Sequence, residues 1–127
     1  MAKVLAVEAA LGWHPVDLNQ EQRNHPGYDV RSVRDPSGER PGDVKFIEVK
    51  GRIAGAPTVT VSRNEILTSL NEPQRFVLAL VEVSPDGGEV VRYLRQPFQG
   101  RSEDFVFEVT SVNFTWAALW TRAVEPS

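Results

Sequence analysis

The sequence predicts one α/β domain, a mixed β-sheet with helices packed against it. Three observations carry that prediction. A chain of 127 residues suits a single core. Its hydrophobic patterns run in the order helix, several strands, helix, strands, helix. Hairpin-like turns come early and are followed by a crossing helix, which favours a mixed sheet.

The elements follow in order. Residues 3–12 read as a helix, with Val4, Leu5, Val7 and Leu11 apolar and four alanines between Ala2 and Ala10. A helix apolar nearly all round needs cover on more than one side, and its uncapped start suggests a domain cut from a longer chain. Gly12 is a plausible C-cap, after which Trp13 to Leu18 can run extended. Asn19 to Gly27 is polar. Tyr28 to Val33 alternates like a strand, and DPSGERPGD at 35–43 marks a long turn. KFIEVK at 45–50 is the next strand, Gly51 to Pro57 a loop, and Thr58 to Val61 a short β-branched strand.

Ser62 with Glu65 three positions on is a capping-box spacing and announces a helix through about Leu70. Phe76 to Val83 is the most apolar run and reads as a buried central strand. PDGG at 85–88 turns the chain into Val90–Leu94. A loop over Pro97–Ser102, a strand over Phe105–Val112 and a closing helix over Thr115–Ala123 complete the chain.

Composition narrows the class. There is no cysteine, so a disulfide scaffold and a thiolate zinc site are excluded. No apolar run approaches the ~18 residues of a membrane helix, and residues 1–12 lack a signal-peptide pattern. The expected setting is cytoplasmic. A formal charge of −3 argues against a purely electrostatic coat for nucleic acid, yet it leaves room for a local basic groove. Of the 14 basic residues 11 are Arg, the side chain better suited to bidentate phosphate contacts.

The most informative segment is Phe46-Ile47-Glu48-Val49-Lys50. On a strand, Glu48 and Lys50 share one face while Ile47 and Val49 take the other. By itself this is an ordinary same-face ion pair. Two further acids change the weighing. Asp29 starts the preceding strand after the turn-like His25-Pro26-Gly27, and it can approach Glu48 if the strands are neighbours, about 4.8 Å apart. Glu8 lies on the apolar stripe of the first helix, where a charge must be paired or must coordinate a cation. Pairing with an Arg at the helix edge is its bland alternative. Oxygens of this kind converging on one point suit Mg²⁺ or Mn²⁺, and a Lys beside them can stabilise a phosphorane-like transition state.

Asp29, then Glu48-x-Lys50, with Glu8 on a preceding helix, resembles the signature of the PD-(D/E)XK nuclease superfamily, which includes restriction endonucleases and archaeal Holliday-junction resolvases. VEAALG, GYDVRSV, KFIEVKGR, TVTVSRNEI and RFVLALVEV, in that order over roughly residues 4–97, look like the domain named after the C-terminus of the plant protein NO VEIN. The resemblance implies a restriction-endonuclease-like mixed central sheet flanked by helices, forming a single domain over residues 1–127. It also implies a place within a larger, helicase-like or restriction-associated protein. Glu8, Asp29 and Glu48 match the metal-binding acids and Lys50 matches the catalytic lysine. Apart from the resemblance, the Val49 carbonyl is a further expected ligand. Asn64 and Glu65 match the family's Asn-Glu element. Asp29 follows Tyr28 here, where the superfamily pattern has Pro.

Several residues carry a plainer role beside the functional one. Glu65 satisfies the reciprocal cap of its own helix. Arg52 and Arg63 are candidates for phosphate contact, although surface Arg is usually just solvated. His14 and His25 are too few and badly spaced for zinc. Phe114, Trp116 and Trp120 belong to a core or a docking face. No nucleotide-binding Gly-rich loop and no Gly-x-Ser-x-Gly elbow is present. The expectation is a Mg²⁺-dependent nuclease-like domain acting on DNA, with no membrane partner. The rival is a non-catalytic module on the same fold that binds nucleic acid or docks another domain.

Overall fold

The computed structural model describes residues 1–21, 27–37, 40–99 and 110–127. Helix α1 (Ala2–Ala10) leads into strand β1 (His14–Asp17) and a one-turn helix α2 (Leu18–Glu21). Strands β2 (Val30–Val33), β3 (Val44–Ile53) and β4 (Thr58–Ser62) follow, then α3 (Arg63–Asn71), β5 (Phe76–Val83) and β6 (Glu89–Arg95). Strand β7 (Ser111–Thr115) and helix α4 (Trp116–Arg122) close the fold.

The main sheet has the order β1-β2-β3-β5-β6. Only β3 and β5 run parallel; the other three pairings are antiparallel, so the sheet is mixed as expected. The connection between the parallel strands carries β4 and α3, and β4 pairs with β7 in a separate two-stranded ribbon. That ribbon lies outside the main sheet. Its pairing spans roughly half the chain in sequence, which no local pattern announces.

Strand alternation sorts the core into two layers. Val30, Ile47, Val77, Ala79 and Tyr93 pack under Val4 of α1 on one face. Phe76, Leu78 and Leu80 pack on the other face against Ile66 of α3, Val61 of β4, Phe114 of β7 and Trp116 of α4. Every residue from Phe76 to Val81 is buried, as an unbroken apolar run predicts for a strand covered on both sides. Phe114 and Trp116 are therefore core, while Trp120 is half-buried beneath the Arg92 guanidinium, 4.3 Å from its ring centre.

The capping box at the start of α3 is present in both directions. Glu65 N–H donates to Ser62 Oγ at 3.1 Å, and Ser62 N–H donates to Glu65 Oε1 at 2.9 Å. Two expectations are corrected. Strand β3 does not stop at Lys50: it runs on through Gly51 to Ile53, because β5 offers it a parallel partner as far as Val83. A short helix, α2, occupies part of the polar stretch, with Asn19 N–H donating to Asp17 Oδ1 at 3.0 Å. The strand expected over Phe105–Val112 falls mostly outside the described residues, as does His25.

Candidate active site

The site forms where one strand outlasts its neighbour. Pairing of β2 with β3 ends at Val30 opposite Ile47, while β3 continues six residues further along β5. Past Ile47, no strand of the described residues ladders with the β2-side edge of β3. Asp29, immediately before β2, occupies the first of that edge. Its N–H donates to the Ile47 carbonyl at 2.8 Å. Its Oδ2 accepts from Val49 N–H at 2.9 Å, and its Oδ1 lies 3.4 Å from Asn19 Nδ2. The N–H and C=O of one strand residue point to the same side, so the Val49 carbonyl also faces Asp29.

The segment before Asp29 is held from both directions. Gly27 has φ +93, and a Cβ there would lie 2.3 Å from Thr68 Oγ1 and 3.2 Å from Asn64 Nδ2 on α3. Only glycine combines that backbone with that approach. Tyr28 stacks on Phe46 of β3 with ring centres 4.5 Å apart. Asn64 thus supports the site by packing against Gly27, and its carbonyl accepts from Thr68 Oγ1 at 2.8 Å.

Glu48 and Lys50 share the sheet face that α3 covers. Glu48 is 3% exposed. Lys50 Nζ lies 3.6 Å from Glu48 Oε1 and 2.9 Å from Glu65 Oε1. Burial, then the charges of Asp29 and Glu65, push the Glu48 carboxyl up to about 10 against the opposing pull of Lys50. No N–H or O–H donor of the described residues reaches the buried Glu48 Oε2. A proton on Glu48 hydrogen-bonded to the Glu65 carboxylate leaves this pair one negative charge, which the Lys50 ammonium balances. Burial works to raise Glu65 as well, yet the Ser62 N–H, the Glu48 hydrogen bond and Lys50 together bring it below the ordinary carboxyl range.

Asp29, Glu48, the Val49 backbone, Lys50 and Glu65 are thus brought together. Glu8 is not. It belongs to the α1 face, opposite Glu48 and Lys50, and is fully buried. Its oxygens accept from Lys45 Nζ at 3.0 and 3.2 Å and from the Tyr93 hydroxyl at 2.6 Å. Lys45 lies three residues before Glu48 and so points through the opposite face, where its ammonium sits 4.1 Å from the Trp13 ring centre. Burial lowers the Lys45 pKa, and Glu8 opposes that shift. The structure thus sets Glu8 apart from the other acids as a buried ion-pair partner, and the cation beside it is a lysine of the central sheet where an Arg was expected.

Arg52 and Arg63 have exposed side chains. Arg52 is level with Glu82 across β3 and β5, and Arg63 opens α3, its N–H donating to the Thr110 carbonyl at 2.9 Å. Sequence reasoning passed over Asn19, Lys45 and Tyr93. The signal for Lys45 was strand parity.

Among the described residues no group of three or more His, Asp or Glu side chains could hold a metal. What converges is two carboxylates, Asp29 and Glu48, with the Val49 carbonyl. Mg²⁺ fits such a set, because it keeps several waters and takes one or two protein carboxylates. The buried, donor-free Glu48 Oε2 is the oxygen that a divalent cation would satisfy.

A mixed sheet flanked by helices, carrying Glu48 and Lys50 on a central strand with Asp29 just ahead of the adjoining one, has the restriction-endonuclease-like fold. The fold matches that of Hjc, a Holliday junction resolvase from the archaeal hyperthermophile Archaeoglobus fulgidus, with a TM-score of 0.53 over 98% of this chain and 91% of that one. Sequence identity is 9%, so the likeness is one of fold. The chain belongs to the family described as Protein NO VEIN, C-terminal, whose pattern matches residues 1–94. No curated protein matches the chain in sequence. Among the described residues no helix is long and apolar enough to cross a membrane.

Proposed function

We propose that this domain is a metal-dependent nuclease that hydrolyses DNA phosphodiester bonds as a module of a larger, helicase-like or restriction-associated protein. The observation that carries the proposal is the convergence of Asp29, Glu48 and Lys50 at the edge of β3, with Glu48 Oε2 buried and without a donor among the described residues.

Asp29, Glu48 and the Val49 carbonyl would hold Mg²⁺ or Mn²⁺, which when bound supplies Lewis acidity at the phosphoryl oxygens and eases ionisation of the attacking water. Val49 N–H fixes the Asp29 carboxylate, so its free lone pairs keep one direction. Lys50 is steadied by Glu65 and donates to the phosphoryl oxygen whose charge grows as water attacks phosphorus. The P–O bond to the leaving oxygen breaks, and that oxygen takes up a proton. Exposed Arg52 and Arg63 would contact flanking phosphates.

The test is cleavage of duplex, single-stranded and branched DNA and of RNA, with Mg²⁺, Mn²⁺ or EDTA, and Glu48→Ala as the control. Metal-dependent cutting of DNA that the variant lacks is the expected result. Cutting that survives in both Glu48→Ala and Lys50→Ala overturns the assignment. A second reading, a non-catalytic nucleic-acid-binding or docking module, is favoured by the displacement of Glu8 from the other acids. Its signature is a folded domain whose melting temperature ignores Mg²⁺ and Mn²⁺, since an ion that binds only the folded state raises it.

A further inference from the structure

Gly51 is a glycine that the fold does not need. It lies inside β3, level with Val81 of β5, where a missing side chain weakens a strand. Its φ is not in the left-handed region, and a Cβ would meet only the Val81 carbonyl oxygen, at 3.8 Å, an ordinary contact. Neither conformation nor packing against the described residues excludes a Cβ there. The remaining reason for a bare strand is close approach of something outside the fold.

What approaches is defined by the groove above it. A cavity of about 500 Å³ opens on the α1 side of the sheet, lined by Asp29, Val49, Gly51, Val81, Val83 and Glu89. Asp29 lines this groove and also holds the edge of β3, from whose opposite face Glu48 and Lys50 project, so an occupant of the groove meets the site at Asp29. The valine floor is apolar, Met1 and Asn19 complete the lining, no Lys or Arg of the described residues lines the groove, and Glu89 adds a negative charge. A phosphate is disfavoured on such a surface. A neutral nucleoside is suited to it, with apolar sugar and base faces and base amino groups for a carboxylate.

We infer that this groove receives the nucleoside next to the scissile phosphate and that Gly51 leaves the room for it, an inference that rests on the nuclease reading above. The variants are Gly51→Ala and Gly51→Val, assayed by melting temperature and by steady-state cleavage of a DNA oligonucleotide with Mg²⁺. Val is a better strand former, so Gly51→Val should melt higher than wild type while its KM rises tenfold or more and kcat changes little; Gly51→Ala falls between. An unchanged KM in Gly51→Val overturns the inference and leaves the nuclease reading standing. A lower melting temperature for Gly51→Val also overturns it, because the fold would then require the glycine. A wild-type protein that cuts no substrate removes the nuclease reading and this inference with it.

Discussion

Glu65 Oε1 accepts a hydrogen bond from Ser62 N–H at 2.9 Å and lies 2.9 Å from Lys50 Nζ. One carboxylate oxygen closes the cap of α3 and anchors the lysine of the site. The structural role and the proposed functional one, which look like alternatives from sequence, would therefore be the same contact. The anchor also explains how a lysine on a partly covered strand keeps one orientation: the helix start is fixed by its own reciprocal cap, and the lysine is fixed to the helix start.

Glu65→Gln separates the two roles. Gln at the third helical position still accepts from Ser62 N–H, so the melting temperature should stay near wild type. The charge opposite Lys50 is lost, and cleavage should fall. Glu65→Ala loses both and should cost about 1 kcal/mol of stability as well. Lys50→Ala, measured beside them, should lower kcat by ~10²–10³ with a folded protein, the scale of losing one preorganised transition-state donor. Wild-type cleavage by Glu65→Gln would show that the anchor is dispensable.

The buried carboxyl of Glu48 makes stability fall as pH rises. An ordinary glutamate ionises near 4.5, whereas folded Glu48 holds its proton to about 10, so between those values the unfolded chain binds fewer protons and is favoured by each increase in pH. The neutral carboxyl's contribution is complete below the lower value and is lost on the way to the upper one. Asp29, Glu65 and Lys50 are the charges that face it. Metal-free Glu48→Gln should melt close to wild type at about pH 5 and clearly higher at about pH 8.5, the gap growing by at most ~1.4 kcal/mol per pH unit. Parallel melting curves across that range would show that Glu48 ionises normally.

Glu8 and Lys45 form a buried pair with the Tyr93 hydroxyl as a third member. Removing one partner strands the other charge inside the protein, so Glu8→Ala should destabilise by about 3–5 kcal/mol in denaturant titration. Neutralising both sides, Glu8→Gln with Lys45→Met, should recover part of that loss. The alternative outcome is distinct: a Glu8→Ala protein of normal stability that no longer gains melting temperature from Mg²⁺ would make Glu8 a ligand after all.

What was legible in the sequence was whatever depends on neighbours a few residues apart. Period-two alternation put Glu48 and Lys50 on one face, the Ser62–Glu65 spacing gave the cap, and the apolar run gave the central strand. Alternation also held the answer for Glu8, since Lys45 is of opposite parity to Glu48 and its ammonium had to be neutralised beneath α1. Pairings between distant segments were not legible. Gly51 and Arg52 look like the start of a loop until β5 is laid beside them, and β4 looks like a member of the main sheet until β7 claims it. The placement of Asp29 depended on both kinds of information: a turn visible in Pro26-Gly27, and a ladder that ends one residue short of Glu48.

Gly27 tests how tightly that placement is held. Its φ of +93 disfavours any residue with a Cβ, a cost of about 1–2 kcal/mol for alanine. A Cβ would also stand 2.3 Å from Thr68 Oγ1, with the Asn64 carbonyl at 3.1 Å, so the chain must lift off α3. Asp29 is two residues away and reaches Val49 N–H through a 2.9 Å bond that such a shift would lengthen. Gly27→Ala should therefore lower the melting temperature and cleavage together. Adding Thr68→Ala removes the hydroxyl contact but neither the backbone cost nor the Asn64 contact, so the double variant should recover only part of both. Recovery of stability without recovery of cleavage would show that Asp29 is displaced by the backbone conformation itself, and a single variant with wild-type values of both would show that this segment does not position the aspartate.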